Sequence, residues 1–352
     1  MNLLGSPTYR GDLDAVAGVV RWVDLQDTHL VLSGASGMIG SFLVDLVMGY
    51  NLHHQLNCTI HALARHPDGL IQRFADFAGH PNLVLTAMDV TAGITGIDEA
   101  DYVIHAASNT HPLQYSSDPI GTITANVQGT YAMAELAVRT SARRFVFLST
   151  VEIYGDHRAG PERFAETDLG YIDCNTVRAG YPESKRTGEA LCQAFRAQHG
   201  LDVVIPRLPR VYGPTMRMND TKAASQFILK AVAGQDIVLK SAGDQHFSYA
   251  HVADAASAIL ATMSRGVSGE AYNVGDPGSD VLLKDLARLV AGTVGREVVF
   301  ELPAESERRG YSAASVALLD ATKLGGLGWV PLYGIEEGIG RTIAVLREIG
   351  RG

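Results

Sequence analysis

The chain has 352 residues, 46% of them hydrophobic and 19% charged, an ordinary globular composition sufficient for one large or two modest domains. Its formal net charge is −9, and its basic residues are dispersed in single positions and pairs such as Arg143-Arg144, which argues against a broad nucleic-acid-binding face. Cys58, Cys174 and Cys192 are odd in number and form no Cys-x-x-Cys, so neither a disulfide framework nor a bound metal is expected, and a reducing compartment is the default.

Residues 1–28 precede the first strand. Leu13, Val16, Val20 and Val23 recur at roughly helical spacing behind Asp12 and Asp14, which predicts an amphipathic helical extension packed on the rest of the protein. The segment lacks a basic stretch followed by an apolar core, so no signal peptide is read. No apolar run in the chain reaches about 18 residues, so no membrane partner is expected, and a cytoplasmic location follows by elimination.

His29–Ser33 reads as a short buried strand that runs into Gly34-Ala35-Ser36-Gly37-Met38-Ile39-Gly40 and then an apolar helix. In this strand–turn–helix context the glycines allow a tight turn, close approach of backbone to a pyrophosphate, and close packing of helix on strand. The helix N-terminus then offers N–H groups to the phosphates. Further strands are expected at Cys58–Ala64, Leu83–Met88, Tyr102–Ala106, Arg144–Ser149 and Asp202–Pro206, with helices such as Ala125–Ala142 between most of them. Alternating strands and helices imply an α/β protein with a doubly wound parallel sheet over residues 29–207. His53-His54 reads as a solvated loop pair. Beyond residue 207 loops become denser and short helices are expected at Ala223–Ala233 and Leu282–Ala291. A smaller second domain is placed there, over 208–247 and 276–352. A segment at about 248–275, with a strand and helix near Ser248–Met263, is expected to return to the large sheet.

Tyr181 and Lys185 stand four apart in a helical stretch and so share one face. An ammonium beside a phenol favours the phenolate and makes a usable base. Bringing a tyrosine from about 10 towards neutrality asks the site for roughly 3–4 kcal/mol.

Three motifs thus stand in fixed order: the Gly34/Gly37/Gly40 turn, Leu148-Ser149-Thr150-Val151-Glu152-Ile153-Tyr154-Gly155, and Tyr181…Lys185. Together they resemble the extended short-chain dehydrogenase/reductase family, the nucleotide-sugar epimerases, dehydratases and decarboxylases. Ile104-His105-Ala106-Ala107, Ala125–Thr130, Arg207…Val211-Tyr212-Gly213-Pro214, Val252–Ala255 and Ala271–Gly275 extend the resemblance over about residues 28–345. Met216–Asp220 followed by Ser225–Ile228, Arg178, Lys185-Arg186 and Asp118–Ile120 look most like UDP-glucuronate decarboxylases.

The resemblance implies a transient oxidation of a nucleotide sugar at C4. Tyr181 would be the base, Lys185 its cationic neighbour and ribose contact, Thr150 the donor to the reacting oxygen, and Glu152 a base or carboxylate-positioning group. It further implies cofactor contacts from Gly34, Ser36, Gly37, Met38, Ile39 and Gly40, from Val90, Ala106, Ala107 and Ser108, and from Asn126, Tyr181, Lys185 and Arg207. Substrate contacts are expected from Asn109, Thr110, Arg178, Arg210, Asn219, Lys222 and His246. The implied cofactor is tightly held NAD. The residues after the second strand, Leu63-Ala64-Arg65-His66, lack the acid that would accept ribose hydroxyls, and Arg65 can meet a 2′-phosphate or stack on adenine, which leaves NADP as the alternative. Asp89 is a further expected adenine contact. A homodimer through the helices near Ala125–Ala142 and Tyr181–His199 is implied.

The sequence also departs from the family. Phe247 stands where many relatives carry arginine, and Arg210 where relatives often have asparagine. Val151 occupies the position of an aspartate that family 4,6-dehydratases use as proton donor, which argues for decarboxylation over dehydration unless another acid, such as His111, replaces it. A 4-epimerase or dehydratase is the alternative enzyme, and a non-catalytic dinucleotide-sensing regulator the alternative of another class.

Overall fold

The computed structural model describes residues 2–110, 117–156, 162–301 and 315–350, so His111 lies outside the described residues. In chain order the elements begin with α1 (Pro7–Ala17), β1 (His29–Ser33), α2 (Met38–His54), β2 (Thr59–Ala64), α3 (Pro67–Arg73), β3 (Leu83–Ala87), β4 (Tyr102–His105) and α4 (Pro119–Arg139). They continue with β5 (Arg144–Phe147), β6 (Ser149–Thr150), α5 (Gly180–His199), β7 (Val203–Leu208), β8 (Arg210–Tyr212), α6 (Ala223–Val232), β9 (Ile237–Leu239), β10 (His246–His251) and α7 (Val252–Arg265). The last are β11 (Ala271–Asn273), β12 (Asp280–Leu282), α8 (Leu283–Thr293), β13 (Val298–Phe300), β14 (Val316–Ala317), α9 (Thr322–Gly325) and α10 (Ile335–Ile349).

The expected doubly wound sheet is present, with strand order β11-β7-β5-β4-β1-β2-β3 and β6 attached to β7. Its pairings are parallel throughout. Helices cover both faces, which is why β1, β4 and β7 are runs of buried residues rather than alternating ones. The chain order reverses between β1 and β4, and the crevice at their carboxyl ends is where doubly wound sheets bind ligands.

Local chemistry sets the helix ends. Asp118 caps α4 by accepting from the Gly121 N–H, and Pro119 stands at the first helical position, where its missing N–H costs nothing. Gly200 closes α5 in the left-handed conformation. Within α5, a β-carbon at Gly188 would sit 2.4 Å from the Phe147 ring, so glycine there lets α5 lie directly against β5. That close approach brings Tyr181 and Lys185 to the sheet's carboxyl edge.

A second sheet holds β12, β10, β14 and β8, and β9 pairs with β13. The stretch expected to return to the large sheet therefore divides. β10 belongs to the smaller sheet, through Tyr249↔Arg210 and Phe247↔Val281, while α7 packs on α2 and β7 and β11 forms the large sheet's edge. The expected strand Arg144–Ser149 breaks at Leu148, which separates β5 from β6.

The N-terminal helix is shorter and earlier than the spacing suggested. Ser6 caps it, and it ends at Gly18, so Val20 lies beyond it and Val23, 68% exposed, stands in a 3-10 turn. Its buried face carries Tyr9, whose hydroxyl donates to Asp45 at 2.6 Å, with Arg73 paired to the same carboxylate. Asp12 accepts from Arg341 at 2.5 Å, joining α1 to α10. His53-His54 form the last turn of α2 rather than a loop.

Candidate active site

The turn after β1 meets the sheet edge as the glycine pattern requires. Gly34 has φ +73°, and a β-carbon on it would lie 2.7 Å from the Ala106 carbonyl group after β4. A β-carbon at Gly40 would lie 2.3 Å from the Gly34 oxygen, so α2 and the turn can touch only without one. Gly37 is the N-cap of α2 and supplies no side chain to its first N–H groups. Gly34, Gly37, Met38, Ile39 and Gly40 line a cavity of about 580 Å³, together with Ala106, Ser108 and Thr110 from the end of β4. These features fit a dinucleotide: an open backbone surface, a helix N-terminus for the pyrophosphate, and an apolar slot at the sheet switch point.

The same cavity is lined by Thr150, Val151, Glu152, Arg178, Tyr181 and Lys185. Lys185 is buried, donates to the Leu148 carbonyl at 2.8 Å, and sits 4.8 Å from the centre of the Phe147 ring. Burial pulls its ammonium down to about 8. Thr150 Oγ1 accepts from the Glu152 N–H at 3.3 Å, which leaves its own proton for an oxygen in the cavity. Ser108 donates to Asn126 at 2.7 Å, Asn126 to Ser184 at 2.9 Å, and Ser184 to the Tyr181 carbonyl at 2.8 Å. Asn126 is thus buried behind the site, where it ties the β4 loop to the start of α5.

Glu152 is held by two guanidinium groups. Arg178 reaches one oxygen at 2.7 Å and Arg210 the other at 3.3 Å, while Arg210 lies 3.3 Å above the Phe247 ring. The far wall carries Thr221, Lys222, Lys240 and Gln245. Among the described residues lining the cavity, Glu152 is the one acid, against the bases Arg178, Lys185, Arg210, Lys222 and Lys240.

Other expected contacts are not among the residues that line the cavity. Arg207 turns inward, donating to Glu189 at 2.6 and 3.0 Å and to the Tyr154 hydroxyl at 2.8 Å. Val90 is core beneath α4, and Ser36 and Ala107 flank the lining residues; the Ala107 N–H donates to Ser33 at 3.2 Å. Asn109 is buried and accepts from Arg65 at 3.1 Å. Asp89 accepts from the Thr91 N–H and hydroxyl, bonds that hold its carboxyl below the usual range. Asn219 is exposed, and His246 lies on β10 outside the lining set. Sequence reasoning missed Lys240, Gln245 and Thr221, and saw in Phe247 only a lost arginine. Gln245 Oε1 and Thr221 Oγ1 are buried with no hydrogen-bond partner among the described residues. The polar run Lys240–Gln245 after β9 was the available signal for two of these.

Comparison with known proteins agrees with this geometry. Residues 30–275 match the family model of the NAD dependent epimerase/dehydratase family. The chain belongs to that family and is an NAD-dependent enzyme of the short-chain dehydrogenase/reductase type. It is 31% identical to UDP-glucuronic acid decarboxylase 1 of Xenopus tropicalis over 324 residues, 91% of this chain and 72% of that protein. It is likewise 31% identical to UDP-glucuronic acid decarboxylase 5 of Arabidopsis thaliana over 314 residues, 88% of this chain and 87% of that protein. Among solved structures, a dTDP-glucose 4,6-dehydratase from Streptomyces venezuelae aligns with a TM-score of 0.77 at 23% identity, covering 91% of this chain and 97% of that one. Among the described residues no helix is long and apolar enough to cross a membrane.

Proposed function

We propose that the chain is a nucleotide-sugar decarboxylase that oxidises its substrate transiently at C4, with UDP-glucuronate as the substrate. One observation carries this reading. Among the described residues, the cavity that joins the glycine turn to Thr150, Tyr181 and Lys185 is lined by five bases and one acid, and so suits a strongly anionic ligand. The relatedness to UDP-glucuronic acid decarboxylases supports the same choice.

When bound, NAD accepts and returns a hydride. The chain's residues manage the protons. Tyr181 takes the proton of the C4 hydroxyl as general base, and Lys185 favours the phenolate by its charge. Thr150 offers its hydroxyl proton to the C4 oxygen. A ketone at C4 is β to the carboxylate on C5, so CO2 leaves while the pair of the broken C5–C6 bond delocalises onto the ketone oxygen, and C5 then takes up a proton before the hydride returns to C4. Val151, buried beside Thr150, has no proton to give to a leaving hydroxyl, which disfavours loss of water from a 6-hydroxy sugar. The convergence of Thr150, Tyr181 and Lys185 on one cavity disfavours a non-catalytic sensor.

The same proposal includes a homodimer and a cytoplasmic location. The packed pair α4 and α5, with exposed Ile120, Ile123 and Tyr131, supports the dimer, and the three unpaired cysteines suit a reducing compartment.

Incubation with UDP-glucuronate and, separately, UDP-glucose, followed by mass spectrometry, tests the reaction. Loss of CO2 from the first with the second unchanged is the expected result. Loss of water from UDP-glucose with UDP-glucuronate inert overturns it in favour of a dehydratase.

A further inference from the structure

Arg210 reaches the cavity from β8, and its environment fixes it there. Its guanidinium carbon lies over the Phe247 ring, 3.3 Å from the ring centre, an arrangement that the parallel register of β8 and β10 provides. Stacking holds a guanidinium without using its N–H donors. One of those donors reaches Glu152, but Nη1 is buried and has no hydrogen-bond partner among the described residues. Arg178 reaches the other oxygen of the same carboxylate.

Two forked cations therefore meet around a single carboxylate two residues from Thr150, at the end of the cavity where the chemistry occurs. A guanidinium matches a carboxylate in shape and charge, and Glu152 leaves Arg210 Nη1 without a hydrogen-bond partner among the described residues. A second carboxylate brought in by a ligand would find a complementary site already assembled.

We propose that Arg210 is a specificity-determining residue that, with Arg178, receives the carboxylate of an acidic sugar. Glu152 keeps both cations in place in the free enzyme and competes with the substrate for them. Phe247 is the platform that orients Arg210. The inference rests on the nucleotide-sugar reading above and adds which residue separates a uronic-acid sugar from its 6-hydroxy counterpart. The diphosphate is the other anionic group that Arg210 could meet, and it is common to both sugars.

Isothermal titration of the NAD-bound protein with UDP-glucuronate, UDP-glucose and UDP separates the cases. Arg210→Met is expected to weaken UDP-glucuronate by roughly 10- to 100-fold, the loss of a charge-assisted contact, and the other two by less than about threefold. Arg210→Lys, which keeps the charge but not the fork, is expected to fall between, and it serves if the methionine variant does not fold. Glu152→Gln is expected to tighten UDP-glucuronate relative to UDP-glucose, because a competing negative charge is gone. Equal losses for all three ligands in the Arg210 variants place the residue at the diphosphate and overturn the inference. Unchanged binding of all three also overturns it, as does weaker UDP-glucuronate binding in Glu152→Gln. Failure of the unaltered protein to bind any of the three overturns the nucleotide-sugar reading itself, and the inference with it.

Discussion

The ammonium of Lys185 donates to the carbonyl of Leu148 at 2.8 Å, across the break that separates β5 from β6. Leu148 is the residue at which the sheet's fifth strand interrupts its pairing, and its carbonyl is aimed at α5. The bond ties the helix that carries Tyr181 to the strand end that carries Thr150. Lys185 thus has a structural anchor as well as an electrostatic role.

That anchor has a measurable cost. Burial lowers the Lys185 ammonium to about 8. Below about pH 8 folded and unfolded chains both hold the proton, and the folded state bears the full cost of a buried cation. Between about pH 8 and 10.5 the unfolded chain holds a proton that the folded chain has released, so stability rises with pH. Lys185→Met is therefore expected to stabilise the protein below pH 8 by up to about 3 kcal/mol, the size of the shift, less the lost hydrogen bond. The gain should shrink to nothing towards pH 10.5. Denaturant unfolding at pH 7, 9 and 10 reads it, and a gain that does not vary with pH would contradict this account.

Tyr181→Phe should leave the fold intact, since the ring stays in its buried place and only the hydroxyl is lost. Turnover should fall by about 10²- to 10⁴-fold, the usual contribution of a general acid–base group. Steady-state rates and a thermal melt on the same preparation check both halves. Near-normal turnover would remove Tyr181 from the mechanism.

Gly34→Ala places a β-carbon 2.7 Å from the Ala106 carbonyl group on a backbone with φ +73°. Left-handed strain and overpacking together should cost about 3 kcal/mol. The same change closes the approach to the phosphate turn, so the purified protein should also lose bound NAD. Denaturant midpoints and the nucleotide released on heating give the two readouts. An alanine variant with native stability and full NAD content would show that the turn tolerates a side chain.

Arg207 and Glu189 form an ion pair in which the side chains are 8% and 14% exposed. Glu189→Leu leaves the guanidinium buried without its carboxylate and should destabilise by about 3 kcal/mol or more. Arg207→Met with Glu189→Leu should recover part of that loss, because no uncompensated charge remains. Glu189 also accepts from Ser149, the neighbour of Thr150, at 2.5 Å, so activity should drop in both variants. Additive losses in the double variant would mean the two residues do not act as a pair.

The parts of the molecule legible in the sequence are those set by neighbours along the chain. The apolar runs at β1, β4 and β7, the glycine turn that follows β1, and the i, i+4 spacing of Tyr181 and Lys185 each state their geometry within a few residues. The strand–helix alternation then implies a parallel sheet, because parallel neighbours need a crossover. One such local rule sets the N-terminal helix too late in the chain. Helical spacing through Val20 and Val23 ignored the earlier start at Ser6-Pro7 and the stop at Gly18. His53-His54 is solvent-exposed as expected, but two polar aromatic residues at a helix end read as a loop while the helix continues through them.

The charge pattern of the cavity is another matter. Arg178 and Arg210 meet Glu152 across 26 and 58 residues of chain, and Arg210 rests on Phe247 from a neighbouring strand. Arg207, expected as a cofactor contact, is paired with Glu189. β10 read as a return to the large sheet, yet it pairs with β8 and β12. Such partnerships carry no periodicity. A guanidinium on a long flexible stem takes whichever carboxylate or ring the packing brings within a few ångströms, and strand pairing is chosen by which edges the fold leaves open. The residue types and their local spacing determine the cofactor turn and the catalytic pair; only the tertiary structure decides which charges face the substrate.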